Sequence, residues 1–126
     1  MRKPLEFAEF PRHPGYQTSW AAVVKRVIDG DTIDVLIDPG WNEYPYRVIR
    51  YRGIDAPELR GEERMAGLAA REYLSALLPI GEQVLLVGTS KDPETFGRYV
   101  ARVIRAADGL DTGRAMVDAG HARGLG

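Results

Sequence analysis

From Trp20 onward, apolar and polar positions fall into short alternating runs broken by turn residues, and only two stretches switch to a helical period. Trp20 to Ile28 is rich in β-branched residues, and Thr32-Ile33-Asp34-Val35-Leu36-Ile37 alternates as a half-buried strand does. Asp29-Gly30 between them is a hairpin signal. Asp38-Pro39-Gly40 breaks the chain. Tyr46 to Arg52 then reads as a third strand, with Tyr46, Val48, Arg50 and Arg52 on one face and Arg47, Ile49 and Tyr51 on the other.

After Glu58 the period changes. Met65, Leu68, Ala69, Ala76 and Leu77 recur at helical spacing between Glu62 and Leu78, and Pro79 with Gly81 ends the segment. Gln83 to Val87 is a fourth strand, Lys91 to Thr95 a loop, and Tyr99 to Arg105 a fifth strand. On that strand Val100 and Arg102 face away from Tyr99, Ala101 and Val103. Asp111 or Thr112 caps a short helix through Ala115, Met116 and Ala119, which Gly120 ends. Five short strands are best closed into a barrel, because closure removes their exposed edges. The expected fold is α+β, mainly β. It is a five-stranded OB-fold-type barrel with a helix between strands 3 and 4 and a short C-terminal helix. Residues 1–19 carry Pro4, Pro11, Pro14 and Gly15 with no clean period and are expected to form an N-terminal arm; residues 20–126 form the domain.

Length changes this picture little, since 126 residues with 44 % hydrophobic content suit one domain with one modest core. Cysteine is absent, which excludes disulfides, thiolate zinc sites and thiol nucleophiles. The net charge of −1 provides no bulk basic field for nucleic acid. No apolar run reaches membrane-spanning length, and Met1 to Ser19 lacks the apolar centre of a signal peptide. A soluble, cytoplasmic protein is expected, and no protein partner can be inferred.

The candidate chemistry is acidic, with arginines beside it. In Asp29-Gly30-Asp31-Thr32, Asp31 turned inward would be an oxygen ligand for Ca²⁺ or Mg²⁺, with Asp29 behind it orienting ligands or waters. The plain alternative is a hairpin turn with solvated aspartates. In Asp55-Ala56-Pro57-Glu58 the proline keeps the main chain extended. Asp55 and the Ala56 carbonyl can then aim at one point, with Glu58 projecting nearby. A strand exit followed by a helix N-terminus would favour the same acidic residues. Arg50 and Arg98 are permanently charged forks able to grip a phosphoryl group, or else surface ion pairs. His13 and His121 stand in no motif.

Asp29-Gly30-Asp31-Thr32, then Arg50 ahead of Asp55-Ala56-Pro57-Glu58, then Phe96-Gly97-Arg98, resembles the staphylococcal nuclease (thermonuclease) family over about Val23 to Ala122. The resemblance implies an OB-fold hydrolase, a Ca²⁺-dependent endonuclease cleaving phosphodiester bonds of DNA and RNA. By the same likeness Asp31 and Asp55 match the metal carboxylates, Ala56 the residue lending a main-chain carbonyl, and Glu58 the general base. Arg50 and Arg98 match the phosphate-binding arginines. There are departures. Phe96 stands where a tyrosine is usual, Thr95 where a lysine is found, and the segment from Leu59 to Arg64 is short and lacks lysine. The chain given also stops at Gly126, without the tyrosines and lysines that follow in better-known members. Weak substrate binding is therefore expected more readily than absent chemistry. The alternatives are a non-catalytic OB-type module that binds nucleic acid or protein, and an enzyme acting on a small nucleotide diester.

Overall fold

In the computed structural model, residues 19–40 and 42–125 are described. The expected arm, with His13, lies outside the described residues apart from Ser19. The chain runs β1 (Trp20–Asp29), β2 (Thr32–Asp38), β3 (Tyr46–Tyr51), β4 (Ile54–Asp55), a 3₁₀ turn (Gly61–Glu63), α1 (Arg64–Leu77), β5 (Gln83–Lys91), β6 (Arg98–Arg105), α2 (Thr112–Asp118) and β7 (Arg123–Gly124). β1, β2, β3, β6 and β5 close into a barrel in that order, and β4 with β7 forms a separate two-stranded sheet. The OB-type barrel with a helix before its fourth wall strand and a short C-terminal helix is therefore present.

Closure depends on one pairing that alternation cannot announce. β3 runs parallel to β6, with Val48 opposite Arg98 and Arg50 opposite Val100. The inward faces supply the core: Val24, Ile33, Val35, Ile49, Leu86 and Val103 are each fully buried. Ile49 and Tyr51, which share a face of β3, point into it, as do Ala101 and Val103 from β6, while Arg47 on the same face of β3 is exposed. β5 extends to Lys91 rather than stopping at Val87, because its register shifts between Val87 and Ser90 and pairing with β6 resumes beyond.

The helix after the third strand corrects the sequence reading. Its buried residues are Gly67, Ala70 and Leu74, whereas Met65 is 75 % exposed and Ala69 and Ala76 face solvent. The contact is made by small residues because α1 lies against β1 and its hairpin at very short range. A Cβ on Gly30 would stand 2.7 Å from the Ala70 Cβ and 2.8 Å from the Ala56 Cβ, and one on Gly67 would stand 2.2 Å from the Glu58 carbonyl oxygen. The two-residue turn is Gly30-Asp31, and Gly30 serves close approach, not a left-handed backbone. At α2, Asp111 is the cap, its side chain accepting from the Arg114 amide. Thr112 is instead buried in the core. The amides of Gly120 and His121 return to the carbonyls of Val117 and Met116, closing the helix.

Candidate functional site

Three segments distant in sequence meet beside the β1–β2 hairpin. The hairpin turn presents Asp31, the end of β3 presents Arg50, and the chain then doubles back through Gly53, at φ 79°, into β4 and Asp55. Only glycine takes that backbone without strain. The turn aims two carbonyls at one guanidinium: Arg50 Nη1 donates to Tyr51 O at 3.1 Å and to Ile54 O at 3.0 Å. So held, Arg50 meets two carboxylates. Its Nη1 lies 3.2 Å from Asp31 Oδ2 and its Nη2 lies 3.4 Å from Asp55 Oδ1.

Asp31 is 6 % exposed. Its Oδ2 accepts from the Ala56 amide at 2.8 Å and its Oδ1 from the Thr32 hydroxyl at 3.0 Å. Asp29 Oδ1 in turn accepts from the Asp31 amide at 3.1 Å. Burial pushes the Asp31 carboxyl above the usual carboxylate range, and Asp29 adds to the rise; the Ala56 amide and Arg50 pull the other way. Burial is thus the larger reason the ionised form is disfavoured, with the neighbouring Asp29 second.

The remaining residues take separate places. Asp55 is shared, with Arg123 Nη2 3.3 Å from its Oδ2. Sequence reasoning missed Arg123, and no local signal marks it: the pair exists because β7 registers Arg123 opposite Asp55 on β4. Ala56 enters the site through its amide. Glu58 is exposed, its amide donating to Glu63 Oε2 at 3.3 Å, and its carboxylate accepts no hydrogen bond among the described residues. Arg98 does not touch the Asp31–Arg50–Asp55 group. Its Nε is 2.6 Å from Asp92 Oδ2, and the parallel register sets it diagonal to Arg50. The Asp92 carboxyl is held below its usual range by the Glu94 amide first and by Arg98 next, with the charge of Arg50 adding to the effect. Asp92 is the second residue the sequence reading left out. It lay in a segment read only as loop.

Among the described residues, no three His, Cys, Asp or Glu side chains are grouped to hold a metal ion. The two carboxylates, Asp31 and Asp55, are of the hard type that Ca²⁺ and Mg²⁺ take, although each of their oxygens already meets an amide, a hydroxyl or a guanidinium. They fit a cation that keeps most of its ligands as water or substrate oxygen. Among the described residues no helix is long and apolar enough to cross a membrane.

Comparison with known protein families finds no family model that matches the chain. The chain is similar to Protein ParB of Escherichia coli, at 40 % identity over 88 residues, a match that takes in 68 % of this chain and 44 % of that protein. The chain therefore spans less than half the length of the curated relative it matches. These findings correct the assignment to the staphylococcal nuclease family: no family matches, and the relative found is another protein. The physical reason is that the three motifs are short strand-end segments. An acidic hairpin turn, an arginine before a proline-stiffened acidic exit, and a glycine–arginine turn suit ion pairing on a barrel as well as they suit catalysis.

Proposed function

We propose that the protein engages a phosphodiester of a nucleic acid, DNA or RNA, beside the β1–β2 hairpin and hydrolyses it with Ca²⁺ as cofactor. The observation that supports this reading is Arg50, anchored by two carbonyls within 3.4 Å of two carboxylates. Such an arrangement holds a cationic fork and acidic ligands in place before substrate arrives, and preorganisation is what phosphoryl transfer asks of a protein.

Asp31, Asp55 and the Ala56 carbonyl would hold the ion, with Asp29 orienting Asp31 through the amide bond at the turn. When bound, the ion supplies positive charge to the phosphate oxygens. Arg50 donates to a non-bridging oxygen, and Arg98 does so through the nitrogens that Asp92 leaves free. Glu58, exposed and unengaged, takes the proton from the attacking water onto its carboxylate. As the new P–O bond forms, the ester P–O bond opposite breaks, and the leaving oxygen takes a proton from solvent.

A second reading, binding of nucleic acid or protein without cleavage, is favoured by a different observation. Both arginines are already paired with carboxylates, and among the described residues no three His, Cys, Asp or Glu side chains are grouped to hold a metal ion. Incubation with plasmid and with RNA, in Ca²⁺ and in chelator, separates the two when a gel-shift measurement in chelator is run beside it. Cleavage that needs Ca²⁺ supports hydrolysis. A shift without cleavage leaves the binding module, and neither result overturns both.

A further inference from the structure

We infer that the mouth of the barrel away from α1 binds a small single-ring aromatic acid that carries a ring hydroxyl. Every wall strand gives this mouth one residue. Trp20 comes two positions before buried Ala22 on β1, and Ile37 two after Val35 on β2. Arg47 comes two before Ile49 on β3, and Tyr99 two before Ala101 on β6. By the two-residue period of a strand, each continues the inward face one step past the packed core. With Thr89 of β5 they line a pocket of about 220 Å³, bordered by Pro39 and Pro45. The other end of the barrel is shut by α1, which packs against Gly30 at the β1–β2 turn. Along β2, Ile37 stands roughly 17 Å from Thr32 at the rise of an extended strand. The mouth is therefore remote from the Asp31–Arg50 pair, and its occupancy does not depend on hydrolysis there.

Thr89 reaches the mouth through a bulge. Alternation from buried Leu86 would turn Gly88 inward, but the β5–β6 register shifts between Val87 and Ser90. Gly88, at φ 67°, takes the left-handed backbone that such a bulge uses. Arg52 holds it from outside, its Nη2 donating to Gly88 O and to Ser90 Oγ, both at 2.7 Å. The extra residue brings Thr89 to the pocket wall. There its Oγ1 is buried and has no hydrogen-bond partner among the described residues. A buried hydroxyl without a partner is destabilising, and bulges recur where a side chain is re-aimed toward a site. A ligand that bonds Thr89 accounts for both.

The rest of the lining sets the ligand's class. Trp20 and Tyr99 offer rings to pack on, and Ile37 with the two prolines completes an apolar wall. An apolar cavity of about 150 Å³ takes benzene, so this pocket has room for one ring with small substituents. Arg47 is exposed and pairs with no carboxylate among the described residues, so it stands at the rim as an available cation. Its Nη1 donates to the Tyr46 carbonyl at 2.7 Å, which leaves the other nitrogens for a ligand. The ring hydroxyl then meets buried Thr89 at the inner end, and the carboxylate meets Arg47 at the outer.

The test is calorimetric titration with para-hydroxybenzoate, beside phenol, which lacks the carboxylate, and benzoate, which lacks the hydroxyl. The hydroxy acid should bind saturably with a Kd of about 1 mM or tighter, and more tightly than either control. Thr89→Val should weaken para-hydroxybenzoate and phenol at least about threefold, the share of one hydrogen bond, and leave benzoate unchanged. Arg47→Gln should weaken para-hydroxybenzoate and benzoate by at least as much and leave phenol unchanged. Because Thr89 Oγ1 is unpartnered in the free protein, Thr89→Val should keep or raise the melting temperature. Arg71→Gln, on the exposed side of α1, should change no affinity. No saturable binding, wild-type affinities in Thr89→Val, or an equal loss in Arg71→Gln overturns the site. So does a lower melting temperature for Thr89→Val, since the hydroxyl would then already be satisfied.

Discussion

Arg50 and Asp31 form a 3.2 Å ion pair although they belong to different hairpins, because β3 registers Arg50 opposite Thr32, the residue next to Asp31. Lysine at position 50 would keep the charge but could not reach the Tyr51 and Ile54 carbonyls and both carboxylates at once. Arg50→Lys should therefore lower kcat/KM for phosphodiester cleavage at least about tenfold, some 1.4 kcal/mol. Arg98→Lys should do the same, since Asp92 retains a cation there but the fork is lost. Steady-state kinetics on both variants checks this, and unchanged rates would move the phosphate contact elsewhere.

Glu58 offers a cleaner separation of chemistry from folding. Its side chain is exposed and only its amide is bonded, so Glu58→Gln should leave the melting temperature in place. Loss of the proton acceptor should cut cleavage roughly 10²-fold or more. Rates and melting curves of one preparation decide it. A variant as fast as wild type would remove Glu58 from the reaction.

Gly67 sets the distance between α1 and the acidic loop. A Cβ there would meet the Glu58 carbonyl oxygen at 2.2 Å and its carbon at 2.7 Å, both main-chain atoms that cannot rotate aside. Gly67→Ala should cost about 1–3 kcal/mol by chemical denaturation, the usual penalty for overpacking. It should also slow cleavage, because the segment carrying Glu58 must shift.

Tyr51 and Thr112 hold the barrel to α2 through a buried pair. The Thr112 hydroxyl has one hydrogen and donates it to Val103 O at 2.8 Å, so the Tyr51 hydroxyl donates to Thr112 at 2.7 Å. Burial raises the Tyr51 phenol well above its usual range, which keeps it a donor throughout the working pH range. Thr112→Val strands the Tyr51 hydroxyl and the Val103 carbonyl together and should cost about 2 kcal/mol or more. Adding Tyr51→Phe should cost less than the two single changes summed, because it removes a group already left unpaired. Denaturant titration of the three variants measures the coupling.

Acid sensitivity has a site outside the functional one. The Arg105 guanidinium, 2.6 Å away, holds the Asp108 carboxyl at about 2, below its ordinary value. A depressed carboxylate stabilises the fold above its unfolded pKa, and that share is lost as pH falls toward the folded value. Between about pH 4 and about pH 2 the wild type should therefore lose stability faster than Asp108→Asn. Melting temperatures across that window test it, and parallel slopes would refute it.

Alternation along the chain was enough to place the five wall strands, and Asp111 and Gly120 marked the ends of α2. That Asp31, Arg50 and Asp55 lie near one another was also legible, because carboxylates and arginine at strand ends with a stiffening proline are local features, whereas Ala56, expected through its carbonyl, meets Asp31 through its amide. The buried face of α1 was not. Hydrophobic size pointed to Met65 and Leu68, whereas a helix packed against main chain must present Gly67 and Ala70. Nor was the closing β3–β6 pairing, the β4–β7 sheet that brings Arg123 to Asp55, or the capture of Arg98 by Asp92. Residue periodicity records which side of an element meets the core. Which strands lie side by side, and so which charges neutralise one another, is decided by closure of the whole barrel over separations that no local pattern spans.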